Sequence, residues 1–496
     1  MKYRIIGVIM AVIMLAAVVV LAPMEHEERR NYSRVHQHLT ARRDTGCGCD
    51  GAQLCSHLPL VVIETGGQTI PGAPTEQRDR FEQRTYTTAA DGSTTITVKA
   101  SVIDSQSANN HPSDAPAFST DCQFRIRGNS SRRFPKLSYA LNFVDDRGEN
   151  KNYAVMGMDS HHEWVLHGPI LDKSLIRNYL WYNIAGEMMD YAPNVRFCEL
   201  VLDGEYQGLY LMTESITSGK NCRLNLSKNV KKSEGTGYLL RIDRPTEKEL
   251  GTTRDIYTYN ERVFNIGQDV AIRYPGLSKL TPELSQHIEQ DYSAFEKTLF
   301  SYDYDTDDYG YWNLIDTESF VDYFILNEFT SNYDAGNYST YIYKEVGGKF
   351  KLCVWDFNNA CDNYQENAGS PEGFFLVRRV WFFMLFRDEA FVEQVLSRYE
   401  QLRETYLNEQ YLMDYIDSTL EYLGPAIERN NARWAGEISG EVSWEALLPK
   451  VRDLHSHEEA VQQLKDWIIR RGAWLDENIH ALRQYAHPSR NKVYNH

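Results

Sequence analysis

The sequence predicts an α+β protein of two lobes, with a β-rich first lobe and a mostly helical second lobe. Segments in which apolar and polar residues alternate recur from residue 58 onward, and this alternation is typical of half-buried strands. Amphipathic helical segments follow after residue 376. With about 100–200 residues in an ordinary domain, the 496 residues leave room for two lobes and a large core. An apolar run ahead of both lobes predicts one N-terminal transmembrane helix.

The apolar run extends from Ile5 to Ala22 without a charged residue. A run of this length can span a membrane, and a secretory signal peptide is the alternative. Pro23 directly follows the small-residue sequence Val-Leu-Ala and disfavours cleavage there, so an uncleaved anchor is favoured. Lys2 and Arg4 predict that the N-terminus stays inside and that the body of the protein lies outside the cytoplasm.

Five parts make up the predicted organisation. They are an anchor at 1–23, a cysteine-containing tether at 24–56, the β-rich lobe at 57–216, the helical lobe at 217–487 and a tail at 488–496. The formal charge of −17 argues against nucleic acid as the main partner. It suits a basic protein substrate, and a solvated acidic surface is the alternative explanation.

Three of the eight cysteines, Cys47, Cys49 and Cys55, lie close together in the tether. They are one ligand short of a structural zinc site, and His57 is the one further ligand nearby in sequence. A small disulfide knot or free thiols are the alternatives, because the connectivity of cysteines does not follow from sequence.

Several elements follow from pattern and turn residues. Strands are predicted at 58–65, 94–104, 122–127, 136–143 and 237–243, with a hairpin at 195–214 around Asp203-Gly204. Helices are predicted at 172–189, 281–299, 377–403, 409–434 and 455–485. Asp172 is the expected N-cap of the first helix. Asp172, Arg177 and Asn178 either organise a site or simply cap the helix and form a salt bridge.

The stretch from Asn332 to Asn358 carries the main candidate site. An apolar helix runs into the loop SNYDAGN, and a hairpin around Gly347-Gly348 follows and ends at Asp356. A hairpin returns its end close to its start, so Asp334, Asn337 and Asp356 are expected to face one small space. Two carboxylates and a carboxamide suit Mg²⁺, and protein kinases have the same layout. The alternative is that these residues form an Asx-turn and cap another turn.

A second candidate site lies between the strands 122–127 and 136–143. The turn Arg127-Gly128-Asn129 can offer backbone N–H groups to phosphate oxygens, and Lys136 and Arg127 can add positive charge. An ordinary turn is the alternative. Arg132 and Arg133 are expected to be solvated or to face a substrate.

The motifs RGNSS, WVLHGPILDKSLIRN, VLDGEYQGLYLMTES, GYLLRID, NYDAGN and VWDFN occur in this order between Leu58 and Tyr364. In this set the sequence resembles the spore coat protein H (CotH) kinase family. The resemblance implies an atypical protein-kinase-like fold, and a protein Ser/Thr kinase that uses ATP with Mg²⁺ or Mn²⁺. It also implies spore-coat or envelope proteins as substrates, and a location at the spore or cell envelope.

The resemblance assigns roles to residues of this chain. Asp334 would orient the substrate hydroxyl and accept its proton, and Asp356 would bind the metal with Asn337. Lys136, with Arg127 in reserve, would contact the α- and β-phosphates. Glu214 would hold the adenine or ribose edge.

The motifs also depart from ordinary protein kinases. The loop has Asn332-Tyr333 before the Asp in place of His-Arg, Asp-Phe-Asn replaces Asp-Phe-Gly, and no GxGxxG loop occurs in the predicted N-lobe. A non-catalytic protein that uses the fold for envelope or spore-coat assembly, or for surface binding, is the alternative function.

Overall fold

The computed structural model describes most of the chain. The described residues are 34–43, 46–78, 84–219, 224, 226–227, 235–243, 254–256, 258–260, 269–363, 369–440 and 454–489. The chain divides into two units, Met1–Val35 and His36–His496. In the first unit only Arg34 and Val35 are described, and neither belongs to a helix or a strand. All the elements given below belong to the second unit.

The strands form one barrel, one larger sheet and two small hairpins. They are β1 (Leu60–Glu64), β2 (Pro74–Arg78), β3 (Arg84–Tyr86), β4 (Ile96–Ile103), β5 (Phe118–Arg127), β6 (Ser138–Val144), β7 (Tyr153–Val155), β8 (Met158–His161), β9 (Glu163–His167), β10 (Val195–Leu202), β11 (Glu205–Glu214), β12 (Tyr238–Asp243), β13 (Arg254–Ile256), β14 (Asp269–Tyr274), β15 (Thr340–Lys344) and β16 (Lys351–Cys353).

The barrel closes in the order β1-β10-β11-β9-β6-β5-β4 and back to β1. Strand β1 completes the ring because it pairs with two strands at once. Leu60 lies opposite Glu199 in the parallel β10 and opposite Ile103 in the antiparallel β4. Alternate residues of each strand fill the interior with apolar side chains, so the barrel is a packed core. Phe124 and Tyr139 stack there with ring centroids 4.7 Å apart.

A second sheet has the order β13-β14-β12-β15-β16. Its last two strands are the hairpin predicted around Gly347-Gly348, and Tyr341 lies opposite Cys353 in it. Strand β12 pairs with β15, so that the sheet continues from the predicted GYLLRID strand into this hairpin. The strands of two small hairpins, β2-β3 and β7-β8, pair only with each other, and Val155 and Met158 of the second hairpin pack in the barrel core.

The helices pack in a large apolar core together with the second sheet. They are α1 (Gln37–Thr40), α2 (Arg177–Met188), α3 (Pro282–Phe300), α4 (Thr317–Thr330), α5 (Val380–Leu385), α6 (Glu389–Arg403), α7 (Glu409–Leu423), α8 (Pro425–Arg433), α9 (Ala435–Ser439) and α10 (His457–Asn478). Every residue of α4 from Ser319 to Thr330 is buried, which explains its nearly continuous apolar sequence.

The predicted fold class is wrong in two respects. The β-rich region is a closed seven-stranded barrel rather than a kinase-like N-lobe, and it belongs with the helices to one compact unit, His36–His496, rather than to one of two lobes. In the part of the chain that the structure describes, no helix is both long enough and apolar enough to cross a membrane. The apolar run Ile5 to Ala22 itself lies outside the described residues. The five domain boundaries stay a prediction.

Helix boundaries differ where glycine, proline or a side-chain contact ends the regular pattern. Helix α2 begins at Arg177 rather than at Asp172, whose carboxylate accepts the backbone N–H of Arg177 at 2.8 Å and that of Ser174 at 3.2 Å. The segment predicted as one helix at 409–434 is broken at Gly424-Pro425, because proline cannot continue the hydrogen-bond ladder.

Candidate active site

A cleft against the outer face of barrel strands β5, β6 and β9 contains three of the six predicted site residues, Arg127, Asp334 and Asp356. It is lined by residues of the barrel, of the second sheet and of the loops around Asp334 and Asp356. The polar lining residues that matter below are Arg125, Arg127, Arg132, His167, Arg241, Asp243, Arg273, Asp334, Asp356, Asn358 and Asn359. The cleft therefore brings together Asp334, Asp356 and Arg127, which lie far apart in sequence.

Asp334 lies in the loop after α4 and is only 6% exposed. The helix ends at Thr330, and the C-cap residue Ser331 has the left-handed conformation with φ 44°. The carbonyl oxygen of Asp334 then accepts the backbone N–H groups of Asn337 at 3.0 Å and Tyr338 at 2.7 Å. These bonds form a tight turn, and the Asp334 side chain points into the cleft lining. The turn is made by the main chain, and the Asx-turn offered as the alternative stays a prediction.

Asp356 follows β16 and has a left-handed backbone, with φ 62° and ψ 63°. This conformation costs a residue with a Cβ about 1 kcal/mol or more, and it persists where the surroundings hold it. The backbone N–H of Asp356 donates to the Tyr182 hydroxyl at 3.0 Å, and that of Phe357 donates to Asn178 Oδ1 at 2.7 Å. Burial, with the Asp356 carboxylate nearby, raises the pKa of Tyr182 well above its ordinary value.

Two direct contacts hold the Asp334 loop against the Asp356 loop. The side-chain amide of Asn332 donates to the carbonyl oxygen of Trp355 at 3.3 Å and to Asn327 Oδ1 at 3.1 Å. The backbone N–H of Cys361 donates to the carbonyl oxygen of Thr330 at 2.7 Å. Since these residues flank both aspartates, the contacts place the two carboxylates on one cleft.

A buried ion pair at the start of α2 contacts the main chain of the Asp356 loop. Arg177 and Asp172 are 0% and 2% exposed in their side chains, and their nearest N···O distance is 2.5 Å. Arg177 Nε also donates to the carbonyl oxygen of Ala360 at 3.1 Å. The residues at the start of α2 thus do more than cap a helix, since they also bind the main chain that follows Asp356.

Five arginines line the cleft although the whole chain carries a formal charge of −17. The Arg127 guanidinium lies over the ring of Trp355, 5.5 Å from its centroid, and Trp355 directly precedes Asp356 in the sequence. Arg241 Nε is 3.6 Å from Asp243 Oδ2. A concentration of guanidinium groups beside two carboxylates suits an anionic ligand that also carries a metal ion.

Two buried atoms of uncharged side chains in the lining, His167 Nε2 and Asn358 Oδ1, have no hydrogen-bond partner among the described residues. Burial, with Arg127 nearby, lowers the pKa of His167 to about 3, so its imidazole is neutral near pH 7. Buried polar atoms in native proteins are nearly always bonded, so these two atoms are available to a ligand or to water.

The donor set fits a hard divalent cation. Asp334 and Asp356 supply carboxylate oxygens, and Asn358, two residues after Asp356, supplies an unpartnered amide oxygen. Oxygen donors of this kind are those that Mg²⁺ and Mn²⁺ take in proteins, with water completing the shell. Asn359 Nδ2 lies 3.5 Å from Asp334 Oδ2 and links the second loop to the first carboxylate.

Three predicted site residues are not in the cleft lining. Lys136 is fully buried, and its Nζ donates to the carbonyl oxygen of Leu209 at 2.6 Å and to Asn430 Oδ1 at 2.7 Å. Both carboxylate oxygens of Glu214 accept from Asn194, at 2.8 and 2.9 Å. Asn337 is half-buried beside the lining. Their proposed contacts with nucleotide and metal stay predictions.

The expected solvation of the basic loop is wrong for Arg132, which is 6% exposed and donates to the carbonyl oxygens of Gly72 at 2.7 Å and Ile126 at 3.0 Å. Arg132 still lines the cleft, and Arg133 is exposed as expected. Gly128 has φ 112°, and a Cβ there would lie 1.9 Å from Ser131 Oγ, so the turn requires glycine.

Sequence reasoning missed Asn358, His167, Arg241 and Arg273. Asn358 stood within the VWDFN motif and followed a predicted metal ligand by two residues, which was a usable signal. His167 is the last residue of the barrel strand β9, and Arg241 lies within β12 of the second sheet. The alternation of apolar and polar residues along a strand does not predict which side chain reaches a distant loop.

Comparison with known proteins assigns the class. The model of the family described as CotH kinase protein matches residues 124–475, which is more than half of the chain and includes Arg127, Asp334 and Asp356. The chain therefore belongs to the CotH kinase protein family.

A curated relative is the inner spore coat protein H of Bacillus subtilis (strain 168). It is 23% identical over 253 residues, which cover 48% of this chain and 58% of the relative. The chain thus spans less than two thirds of the length of the curated relative it matches.

Proposed function

We propose that this protein is an ATP-dependent protein Ser/Thr kinase that phosphorylates spore-coat or envelope proteins. The observation that supports it best is the cleft in which Asp334 and Asp356 meet a cluster of arginines. Family membership adds support through the family's description as a kinase protein. The printed name of the Bacillus relative supports a coat-related role and a location at the spore or cell envelope.

The reaction would transfer the γ-phosphoryl group of ATP to a Ser or Thr hydroxyl. The hydroxyl oxygen forms a bond to the γ-phosphorus, the bond from that phosphorus to the β–γ bridging oxygen breaks, and ADP leaves. Asp334 is buried at the floor of the cleft and accepts the hydroxyl proton. Its backbone turn and its contact with Asn359 hold the carboxylate in place for that transfer.

Asp356, with Asn358 Oδ1, would hold the metal. Mg²⁺ bound there would offset charge on the phosphate oxygens. The backbone at Asp356 is held by the bonds of the Asp356 and Phe357 N–H groups to Tyr182 and Asn178, which places its Cα before any ligand arrives. Arg127, supported by the Trp355 ring, would contact the phosphates from the barrel side, and neutral His167 can hydrogen-bond to the nucleotide without adding charge.

The protein substrate would be basic and rich in Ser or Thr. The basis is the formal charge of −17, which attracts a positively charged segment toward the surface.

A non-catalytic role in coat or envelope assembly is the second candidate. The printed name of the relative, a spore coat protein, favours it, and so does the absence of His-Arg before Asp334. In that case the cleft would bind an anionic partner without turnover.

The test is transfer of radiolabelled γ-phosphate to a Ser-rich basic peptide. Asp356→Asn and Asp334→Asn should each reduce the rate by about 10²-fold or more, because each removes a charge that acts in the transition state. Asp417→Asn is the matched control, since Asp417 is 61% exposed in its side chain and pairs with Lys465.

Two results would overturn the proposal. Equal labelling by wild type and Asp356→Asn would remove Asp356 from the mechanism. No thermal stabilisation by millimolar ATP with Mg²⁺ or Mn²⁺, together with no transfer, would leave the non-catalytic role.

A further inference from the structure

Three thiols and one imidazole lie together near the start of β1. Cys47, Cys49 and Cys55 come from the segment before β1, and His111 comes from the connection between β4 and β5. Their ligand atoms all lie within 4.8 Å of one another. All three cysteines are free thiols. This group is outside the cleft lining and the proposed kinase chemistry does not use it.

The spacing is that of a four-coordinate site. With metal–sulfur bonds of about 2.3 Å and a metal–nitrogen bond of about 2.0 Å, two ligands of a tetrahedral zinc ion are roughly 3.6 Å apart. The distance between Cys47 Sγ and His111 Nε2 is 3.7 Å. Small side-chain adjustments would bring the remaining pairs to the same separation.

The main chain fixes the two loops against each other. Ser56, directly after Cys55, forms an antiparallel bridge with Asn110, directly before His111. The two N–H···O bonds of that bridge are 3.0 and 2.7 Å. The Asn110 side chain is 0% exposed and donates to the carbonyl oxygen of Leu58 at 2.9 Å. Cys55 and His111 are therefore held side by side by the backbone.

The neighbours of the four ligands are those that a metal site requires. His111 Nδ1 lies 3.1 Å from Asp114 Oδ2, so a proton on Nδ1 leaves the Nε2 lone pair directed at the thiols. A carboxylate partner of this kind orients histidines that bind zinc and raises their basicity. Asn109 Nδ2 donates to Cys55 Sγ at 3.3 Å, as amide groups do to metal-bound thiolates.

We propose that Cys47, Cys49, Cys55 and His111 bind one Zn²⁺ ion as a closed structural site. Three thiolates and one imidazole complete the tetrahedral shell of zinc without an open position, which is the arrangement of structural rather than catalytic zinc. The ion would fasten the segment that leads into β1 to the β4–β5 connection. The fourth ligand is His111 and not His57, because neither ring nitrogen of His57 belongs to the group of ligand atoms within 4.8 Å of one another.

The experiment uses the full chain, purified with reductant, without chelator and without a histidine tag. Elemental analysis should find about one zinc per chain. After zinc removal, titration with Co²⁺ should give the thiolate charge-transfer band and the visible bands of a tetrahedral ion, with saturation at one equivalent.

Variants separate this site from adventitious binding. Cys49→Ser and His111→Gln should lose the stoichiometric metal, and Asp114→Asn should weaken zinc affinity by about 10- to 100-fold. Cys122→Ala is the control for a thiol, because Cys122 is 0% exposed inside the barrel and should not affect metal content. Circular dichroism checks that each variant is folded.

Three results would overturn the proposal. The first is a folded wild-type chain that binds neither zinc nor cobalt while all three thiols react as free groups. The second is a disulfide among Cys47, Cys49 and Cys55 in the purified chain, identified by mass spectrometry. The third is full metal content in both Cys49→Ser and His111→Gln. If Cys49→Ser or His111→Gln fails to fold, the cobalt titration of the wild type and the zinc affinity of Asp114→Asn still test the proposal.

Discussion

The side-chain oxygen of Asn178, in the first turn of α2, accepts the backbone N–H of Phe357 at 2.7 Å, directly after Asp356. This bond joins a buried helix to the residue that carries the proposed metal ligand. It provides a way to disturb the site without removing a charged group.

Asn178→Ala should lower the rate of phosphoryl transfer by about 10²-fold, because the loop after Asp356 loses the contact that fixes it. The measurement is the rate at saturating ATP, with the melting temperature taken in parallel. Asn478→Ala is the matched control, since it removes one bond from an asparagine side chain to the carbonyl oxygen of Trp474 in α10. An unchanged rate in Asn178→Ala would show that the loop holds Asp356 without this bond.

The unpartnered Asn358 Oδ1 predicts which amide binds the metal. Asn358→Ala should raise by about tenfold or more the Mg²⁺ concentration needed for ATP to stabilise the protein against heat, because one oxygen ligand is lost. Asn337→Ala should have little effect, since Asn337 is not part of the cleft lining. The opposite order of the two variants would restore the role that the family resemblance assigned to Asn337.

Substitution by methionine should have different effects at Lys136 and at Arg127. Lys136→Met should lower the free energy of unfolding by about 1–3 kcal/mol, because Leu209 and Asn430 keep buried acceptors without their donor. It should leave the KM for ATP unchanged. Arg127→Met should raise that KM with little loss of stability. Urea unfolding and kinetics on both variants check this, and a raised KM in Lys136→Met alone would assign the phosphate contact to Lys136.

Buried His167 should make the protein less stable in mild acid. Its pKa is lowered to about 3 in the folded protein by burial, with Arg127 nearby, whereas the ordinary value is 6.5. Below pH 6.5 the unfolded chain therefore binds a proton that the folded chain does not, and stability falls by up to about 1.4 kcal/mol per pH unit. The loss continues until the pH reaches the folded pKa.

The variant His167→Gln should remove this part of the pH dependence. Between pH 6.5 and pH 5, urea unfolding of the wild type should lose about 2 kcal/mol more than that of the variant. His38, whose pKa burial lowers to about 4, keeps a similar dependence in both proteins. An identical loss in wild type and variant would mean that His167 is protonated in the folded protein.

Local elements could be predicted from the sequence because their causes are local. The hairpin around Asp203-Gly204 and the one around Gly347-Gly348 follow from turn residues between alternating segments, and both are confirmed. The loop carrying Asp334 was found because a polar stretch interrupts a long apolar helix, which ends at Thr330.

Pairings over long distances could not be predicted. Nothing in residues 60–64 says that they join β10, and the closure of the barrel depends on that pairing. Likewise Lys136 and Arg127 flank the same turn, but only the packing of α8 against β11 shows that Lys136 reaches Asn430. His111 stood in a polar loop far from the cysteine cluster in sequence, so the sequence pointed to His57 as the one nearby fourth ligand, whereas the structure places His111 beside the thiols.

The parallel pairing of β1 with β10 has a practical consequence for anyone who trims the protein. A fragment cut at the bounds of the family match, residues 124–475, would lack two adjacent strands of the barrel, β1 and β4. It would also lack the first half of β5. The remaining strands would end in two open edges with unsatisfied main-chain groups, which favour edge-to-edge aggregation. Expression of this protein should therefore start upstream of Leu60, and ahead of Cys47 for tests of the proposed zinc site.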